Sequence, residues 1–313
     1  PIVNVRASLG HLLWARTSAT MVVEITSKNR YNKILMKVFL ILSAAILCSL
    51  IGGASVSAAP ASTKTSLGID VSYPQCAKKV PTNHAFGIVG VNGGLATTEN
   101  PCLDTQLTWA SKATGDSKQD LVQLYVNTAN PGGLGTASWP QDNIDPSGNF
   151  IISPYGLCLA QDSTACAWQY GWNRAHEDVN QWFARAVHRT KLDKNPTAYI
   201  WWLDVEIENT WKTGKTDADY QSNVAVLEGM AEYFAGRGIR TGLYSTAYQW
   251  GEVTGGKISE TSRLNGLPNW RPGGYSMSSA KQACQAQSLT RGGTVLMAQY
   301  ISHGLDYNYS CTQ

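Results

Sequence analysis

Short apolar runs of strand length alternate along this chain with stretches of helical periodicity, and that order restricts the fold more than any other feature. Runs at 67–72, 86–91, 121–127, 198–206, 240–245 and 294–301 are rich in aliphatic and aromatic residues, with a weaker one near 150–152 or 266–270. Helical patterns occupy 101–113, 168–190, 219–236 and 278–286. The best formed is 168–190, where Trp172, Ala175, Val179, Trp182, Phe183 and Ala186 share one face at three- and four-residue spacing. A strand–helix–strand order argues for a largely parallel sheet. No repeat or low-complexity linker divides residues 59–313, a length close to the ~250 residues of a (β/α) barrel. Too few clear helices follow the later strands for a regular eightfold barrel. The expected fold is therefore α/β, an irregular (β/α) TIM-type barrel.

The first 58 residues are expected to stand outside that domain. Residues 1–35 begin without Met and show no periodic pattern; they read as upstream sequence included by a misplaced start. Residues 36–58 read as a secretory signal peptide: Met36 and Lys37, the apolar run Val38 to Ile51 broken by Ser43, Cys48 and Ser49, then small residues from Gly52 to Ala58. Val56 and Ala58 suit the −3 and −1 positions, so cleavage is expected after Ala58, with Ala59 and Ala61 as neighbouring options. A retained anchor is the alternative, but the run is shorter than the ~20 residues of a spanning helix. Lipid modification of Cys48 is disfavoured by Leu47 and by its place in mid-run. The protein is thus expected outside the cell, with no stable membrane anchor after cleavage.

Removing the leader changes the electrostatics. Arg6, Arg16, Lys28, Arg30, Lys33 and Lys37 against Glu24 give it a net +5, so the chain's +3 becomes −2 for the remainder. No basic stripe is left to attract nucleic acid. Without Cys48, six cysteines remain: Cys76, Cys102, Cys158, Cys166, Cys284 and Cys311. They allow fifteen pairings. In an oxidising compartment the local pairs 76–102, 158–166 and 284–311 are favoured, because they close short loops. No Cys/His spacing suits zinc, and no cofactor or metal is expected. Residues 128–167, rich in Gly, Pro, Asn and Asp, form one long loop holding Trp139, Tyr155 and the Cys158/Cys166 pair. Following a strand, it would lie on the C-terminal face of a barrel, where such folds build their sites.

Acidic residues stand at the ends of otherwise apolar strands. Alternation places Gly68, Asp70 and Ser72 on one face of the first strand, and Ile200, Trp202, Asp204 and Glu206 on one face of the fourth. Two residues span ~6.6 Å of strand, so the Asp204 and Glu206 carboxyls can converge on one small volume. An acid at a buried strand end costs desolvation energy. A strand end bonded to loop amides or to an Arg would explain one lone Asp. Two acids on one strand and a third on the first strand favour chemistry, since burial and like charge raise one pKa into the range of a general acid.

The segment Gly68-Ile69-Asp70-Val71-Ser72 with Gln75 resembles the opening motif of family-25 glycoside hydrolases, barrel-fold N-acetylmuramidases. Leu203-Asp204-Val205-Glu206 resembles their Asp-x-Glu strand; Gly242-Leu243-Tyr244-Ser245 with Trp250 resembles the next strand and turn. Ala298-Gln299-Tyr300 and Leu305-Asp306-Tyr307-Asn308 resemble the closing motif. The resemblance implies a barrel of eight strands and fewer than eight helices. It implies Glu206 as general acid, Asp204 as stabiliser of positive charge or of a substrate-derived intermediate, and Asp70 and Asp306 as groups that orient and tune them. Departures lie in Tyr73-Pro74, in Gly90-Val91-Asn92-Gly93-Gly94, in the inserted loop and in the disulfides, marking a divergent branch with altered substrate walls.

Candidate substrate contacts are Asn92, Tyr125, Asn127, Tyr244 and Gln299 at strand ends, with Trp139 and Trp211 on loops near the mouth. Trp172 and Trp182 read as core, and His84, His176, His188 and His303 as surface or capping residues. Glu208 lies beyond the strand motif and is expected to be dispensable. No nucleophile elbow or phosphate-binding loop is present. The leading expectation is a secreted glycoside hydrolase whose partner is peptidoglycan or a related amino-sugar polymer. The alternatives are a non-catalytic cell-wall or carbohydrate-binding protein on the same barrel, and a hydrolase of another polysaccharide.

Overall fold

The computed structural model describes residues 66–133 and 136–312, all within the compact unit Pro60–Gln313. Residues 1–58, the expected leader, lie outside the described residues. Eight strands close a barrel in chain order: β1 Gly68–Val71, β2 Gly87–Gly90, β3 Val122–Asn127, β4 Ile200–Asp204, β5 Arg240–Tyr244, β6 Asn269–Pro272, β7 Val295–Ser302 and β8 Leu305–Ser310. Neighbours from β1 to β7 are parallel, while β8 is antiparallel to both β7 and β1. The cause is local. Only His303 and Gly304 separate β7 from β8, with φ of 51° and 72°. Two residues at positive φ make a hairpin turn, and two residues cannot make a crossover. The weaker expected strand is β6; near 150–152 there is no strand, only an isolated bridge between Ile144 and Phe150.

The helices are α1 Leu103–Ala110, α2 Thr164–Glu177, α3 Ala184–Val187, α4 Asp217–Gly236, α5 Ala247–Thr254 and α6 Met277–Ala283. A π-helical turn, Asp178–Phe183, joins α2 to α3, so the pattern at 168–190 is one helix with a bulge. The α5 helix was not legible from periodicity, because it is short; its ends are set by the Thr246 cap and by Gly255 at φ 57°.

Period-two alternation separates two apolar layers. Ile69, Val71, Val89, Leu124, Val126, Trp201, Leu203 and Leu243 face outward, packed with the helices. Phe86, Ile88, Ile200, Trp202, Tyr244, Trp270 and Met297 fill the barrel. Large interior rings need small partners. A Cβ at Gly68 would lie 2.2 Å from the Phe86 ring, and one at Gly242 2.2 Å from the Trp202 ring.

Disulfides join Cys76 to Cys102, Cys158 to Cys166 and Cys284 to Cys311. They tie the exit of β1 to the start of α1, the long loop to the first turn of α2, and the end of α6 to the end of β8. Among the described residues no helix is long and apolar enough to cross a membrane.

Candidate active site

Four carboxylates reach one cavity of about 250 Å³ at the barrel mouth, lined by Asp70, Tyr125, Asp204, Glu206, Tyr244, Trp270, Gln299, Ile301 and Asp306. Strand geometry brings them there. Asp70 lies near the end of β1 and Asp204 ends β4. Asp306 stands near the start of β8, which runs the other way, so a strand beginning delivers it to the same rim. Glu206 lies two residues past β4. Val205 N–H donates to Tyr244 O (2.9 Å) and Ser245 Oγ to Val205 O (2.7 Å), holding the extended exit against β5. The Glu206 carbonyl then accepts from Trp211 Nε1 (2.8 Å) and Asn209 N (3.2 Å), which fixes the turn.

Below the acids lies an aromatic floor. Trp270 packs against Tyr244 at 4.4 Å between centroids, Trp202 at 6.0 Å and Tyr125 at 6.2 Å. This apolar base removes water from the carboxyls, and no Lys, Arg or His lines the cavity to compensate. Asp204 is pushed well above the ordinary carboxylate range by burial, then by the charges of Glu206, Asp70 and Glu208. Asp70 is raised by burial and by Asp306, against opposing hydrogen bonds from Asn308 Nδ2 (2.7 Å) and Gln299 Nε2 (3.1 Å) to its Oδ2. Glu206, half-buried, is raised by burial and then by Glu208, against a hydrogen bond from Gln249. Burial raises Asp306, and the charge of Lys78 opposes it. Four acids crowded into a poorly hydrated volume cannot all be ionised, so the cluster retains protons that isolated carboxyls would release.

Polar side chains order the rim. Tyr244 Oη donates to Gln299 Oε1 (2.7 Å), and Gln299 passes its amide to Asp70, forming one chain across β5, β7 and β1. Asp204 Oδ1 and Trp270 Nε1 are both buried without a hydrogen-bond partner in the protein. Among the described residues no group of three or more His, Cys, Asp or Glu is arranged to hold a metal.

Of the expected substrate contacts, Tyr125, Tyr244 and Gln299 line the cavity. Asn92 and Asn127 do not. Asn92 is buried, donating to Asp178 Oδ1 (2.9 Å) and accepting from Asn127 N (2.7 Å), so it ties β2, β3 and the π-helical turn together. Trp139 and Trp211 are core residues, 4% and 8% exposed. Trp139 stacks on Tyr170 and donates to Gln161 O; Trp211 spends its indole N–H on Glu206. Both indoles belong to the outer apolar layer that packs with the helices. His84 and His176 are buried too, His84 stacked on Trp109 at 4.2 Å and His176 within 2.6 Å of Ser147 Oγ. Glu208 is no bystander, because its charge raises both Asp204 and Glu206. Trp270 and Ile301 line the site without having been singled out. Ile301 shares a face of β7 with Gln299 at period-two spacing, whereas Asn269-Trp270-Arg271-Pro272 carries no apolar alternation to mark Trp270.

No family model matches this sequence, and no curated protein matches it. Distant structural similarity links it to lysozyme-like barrel enzymes. A family GH25 lysozyme from Aspergillus fumigatus is 16% identical, with a TM-score of 0.45, over 78% of this chain and 92% of that one. The modular Cpl-1 endolysin, in its wild-type form complexed with a peptidoglycan analogue, is 15% identical, with a TM-score of 0.42, over 79% and 54%. The bacterial lysozyme from Streptomyces coelicolor is 15% identical, with a TM-score of 0.39, over 79% and 93%.

Proposed function

We propose that the chain is a secreted glycoside hydrolase that cleaves peptidoglycan or a related amino-sugar polymer by carboxylate acid catalysis. The observation that carries this reading is the convergence of Asp70, Asp204, Glu206 and Asp306 on one cavity with an aromatic floor. Glu206 is the most accessible acid of the Asp204/Glu206 pair and its pKa is raised, which suits a group that must hold a proton and present it. In the proposed step Glu206 donates that proton to the glycosidic oxygen as the C1–O bond breaks. After burial, the Glu206 charge is one cause of the raised Asp204 pKa, so the reactive form is the one with the proton on Glu206 and Asp204 ionised. That carboxylate stabilises the positive charge that grows at the anomeric carbon. Water completes the hydrolysis, its hydroxyl going to the anomeric carbon and its proton restoring the acid. Asp70, whose Oδ2 accepts from Asn308 and Gln299, is held in a fixed orientation beside this pair in the same cavity. The ordered motif resemblance supports the amino-sugar class. Three disulfides suit an oxidising compartment and support residues 36–58 as a leader removed from a mature 59–313 domain.

The test is a zymogram of the mature protein on purified cell wall, with mass analysis of the released fragments. Fragments with new reducing ends at an amino sugar support the reading. Retention on cell wall without any fragment would replace it with a non-catalytic binding role on the same barrel.

A further inference from the structure

A second cavity, of about 380 Å³, lies outside the four carboxylates. Its walls are the segments that leave β2, β3 and β4: Leu95 and Thr97 from the first, Ala129, Pro131 and Ala137 from the second, and Asn209 from the third. Asp204 and Glu206 stand at the same end of β4, so cavity and acids share one face of the barrel. The link is direct, since Asn209 N–H donates to Glu206 O (3.2 Å) and Thr128 N–H to Asp204 O (3.2 Å). The walls are fixed by the chain's own bonds. Gly93 N–H donates to Thr98 O (2.7 Å) and Thr98 N–H to Leu95 O (3.1 Å), which closes Leu95 and Thr97 into a tight loop. Tyr73 braces that loop: a Cβ on Gly94 would lie 2.5 Å from its ring. On the β3 side, Asn130 N–H donates to Thr210 O (2.7 Å) and its Nδ2 to Ser222 Oγ and Asn223 Oδ1 (3.0 Å each), pinning the β3 exit to the β4 exit and to α4. Tyr73-Pro74, Gly93-Gly94 and the inserted loop are segments in which the sequence departs from its family resemblance. Together they build this one cavity.

We propose that this cavity is an accessory subsite for a neutral N-acetylated hexosamine unit of the glycan whose bond is cut at the acids. The proposal rests on the hydrolase reading and deepens it. The volume falls within the ~300–1,000 Å³ of ligand sites, whereas the acid cavity, at about 250 Å³, falls below that range. A polymer must therefore extend beyond the acids. The lining selects the occupant. Leu95, Ala129, Pro131 and Ala137 offer apolar surface to the C–H face of a sugar ring and to an acetamido methyl. Thr97 and Asn209 offer hydrogen-bonding side chains to its hydroxyls and amide. No charged side chain lines the cavity. A peptide stem carries carboxylates, which would lose water here without gaining a cation. The hexosamine unit carries none.

The probe is a series of chitin oligomers of increasing length, neutral amino-sugar chains whose binding needs no turnover. In wild type, affinity should rise with length, and the backbone amide NMR signals of Leu95, Ala137 and Asn209 should shift as the longer oligomers bind. Ala137→Trp fills the cavity from an exposed position. Leu95→Ser removes apolar surface from a side chain 57% exposed, so neither change disturbs the core. Both should weaken the longest oligomers by roughly 10-fold and flatten the rise with length. Leu121→Ser, 48% exposed at the opposite end of β3, is the control and should bind as wild type does. On wall glycan, the two cavity variants should lose kcat/KM by a similar factor. If wild type binds the oligomers in this way but cleaves no wall polymer, the hydrolase reading fails and the subsite stands. Oligomers that leave the three signals unmoved, or length-dependent binding that Ala137→Trp leaves intact, overturn the subsite. Signals that shift with a free stem peptide and not with chitin oligomers overturn the neutral occupant.

Discussion

Asp306 stands directly opposite Asp70 across the antiparallel β8–β1 pair, and both line the same cavity. Like charges in facing positions destabilise a strand pair, and here burial compounds the effect. The raised pKa of Asp70, due to burial and then to Asp306, therefore also describes stability. A carboxyl that holds its proton more tightly folded than unfolded stabilises the fold below its unfolded pKa. That contribution is lost as pH rises through the folded value.

Replacing Asp306 with Asn should accordingly stabilise the protein near neutrality. A facing like-charge pair is worth roughly 0.2–1 kcal/mol, and a domain of this size gains about 2–4 °C per kcal/mol. Thermal melts at pH 7 should show Asp306→Asn about 1–3 °C above wild type, with the gap closing below the usual Asp range. A gap of the same size at every pH would show that charge is not its origin.

The proposed acid makes a sharper prediction. Glu206→Gln keeps the size of the side chain and can still bond to its neighbours, but has no proton to give. Positioned acid catalysis contributes ~10²–10⁴-fold, so turnover on cell wall should fall by about that factor while binding and melting temperature persist. Asp204→Asn should also be severely impaired, since the charge opposite the developing cation is gone. Wild-type turnover with an unmoved pH profile in Glu206→Gln would remove Glu206 from the mechanism.

The barrel and its acids were legible because period-two alternation is a local signal. Asp70 and Asp204 could be placed on inward faces from their own strands, without knowing what lay opposite. Asp306 was reached only through the motif, because β8 has too many polar positions (Asp306, Asn308, Ser310) to read as an apolar run. The buried loops were not legible. Trp139 and Trp211 lie on segments whose polar composition suggests exposure, yet each indole N–H finds a backbone carbonyl that allows burial. Those partners lie 22 and 5 residues away, and nothing in the local sequence announces them. The hydrogen bond from Gln249 to Glu208 was invisible for the same reason, since its partners lie 41 residues apart.

Exposure should set the order in which the disulfides open. Cys76 is exposed, whereas Cys158 and Cys166 are 1% and 0% exposed within the core under the long loop. Thiol–disulfide exchange requires in-line access to a sulfur. Under native conditions with a mild thiol reductant, alkylation should label Cys76 and Cys102 first and Cys158 and Cys166 last, with Cys284 and Cys311 between. Early labelling of Cys158 would mean that the loop 136–167 opens readily from the barrel face.

The crossing of α2 and α4 gives a test in which two known effects compete. Gly171 and Gly229 face each other's helices so closely that a Cβ at 171 would lie 2.0 Å from the Val226 carbonyl oxygen. A Cβ at 229 would lie 2.0 Å from that of Trp168. Both obstacles are backbone, so no rotamer change can relieve them, and one helix must move away from the other. In a helix interior Gly→Ala ordinarily gains ~1 kcal/mol. Forcing apart a close-packed contact costs ~1–3 kcal/mol, and more where backbone must shift. The second effect should win. Gly171→Ala and Gly229→Ala are expected to lower the melting temperature by several degrees. Gly251→Ala is the matched control: it is also helical, in α5, exposed, with nothing within 4 Å of the added carbon. There the propensity gain acts alone, and stability should hold or rise slightly. If Gly171→Ala tracked Gly251→Ala, the two helices would not be in backbone contact, and the layer packed outside β3 and β4 would have to be redrawn.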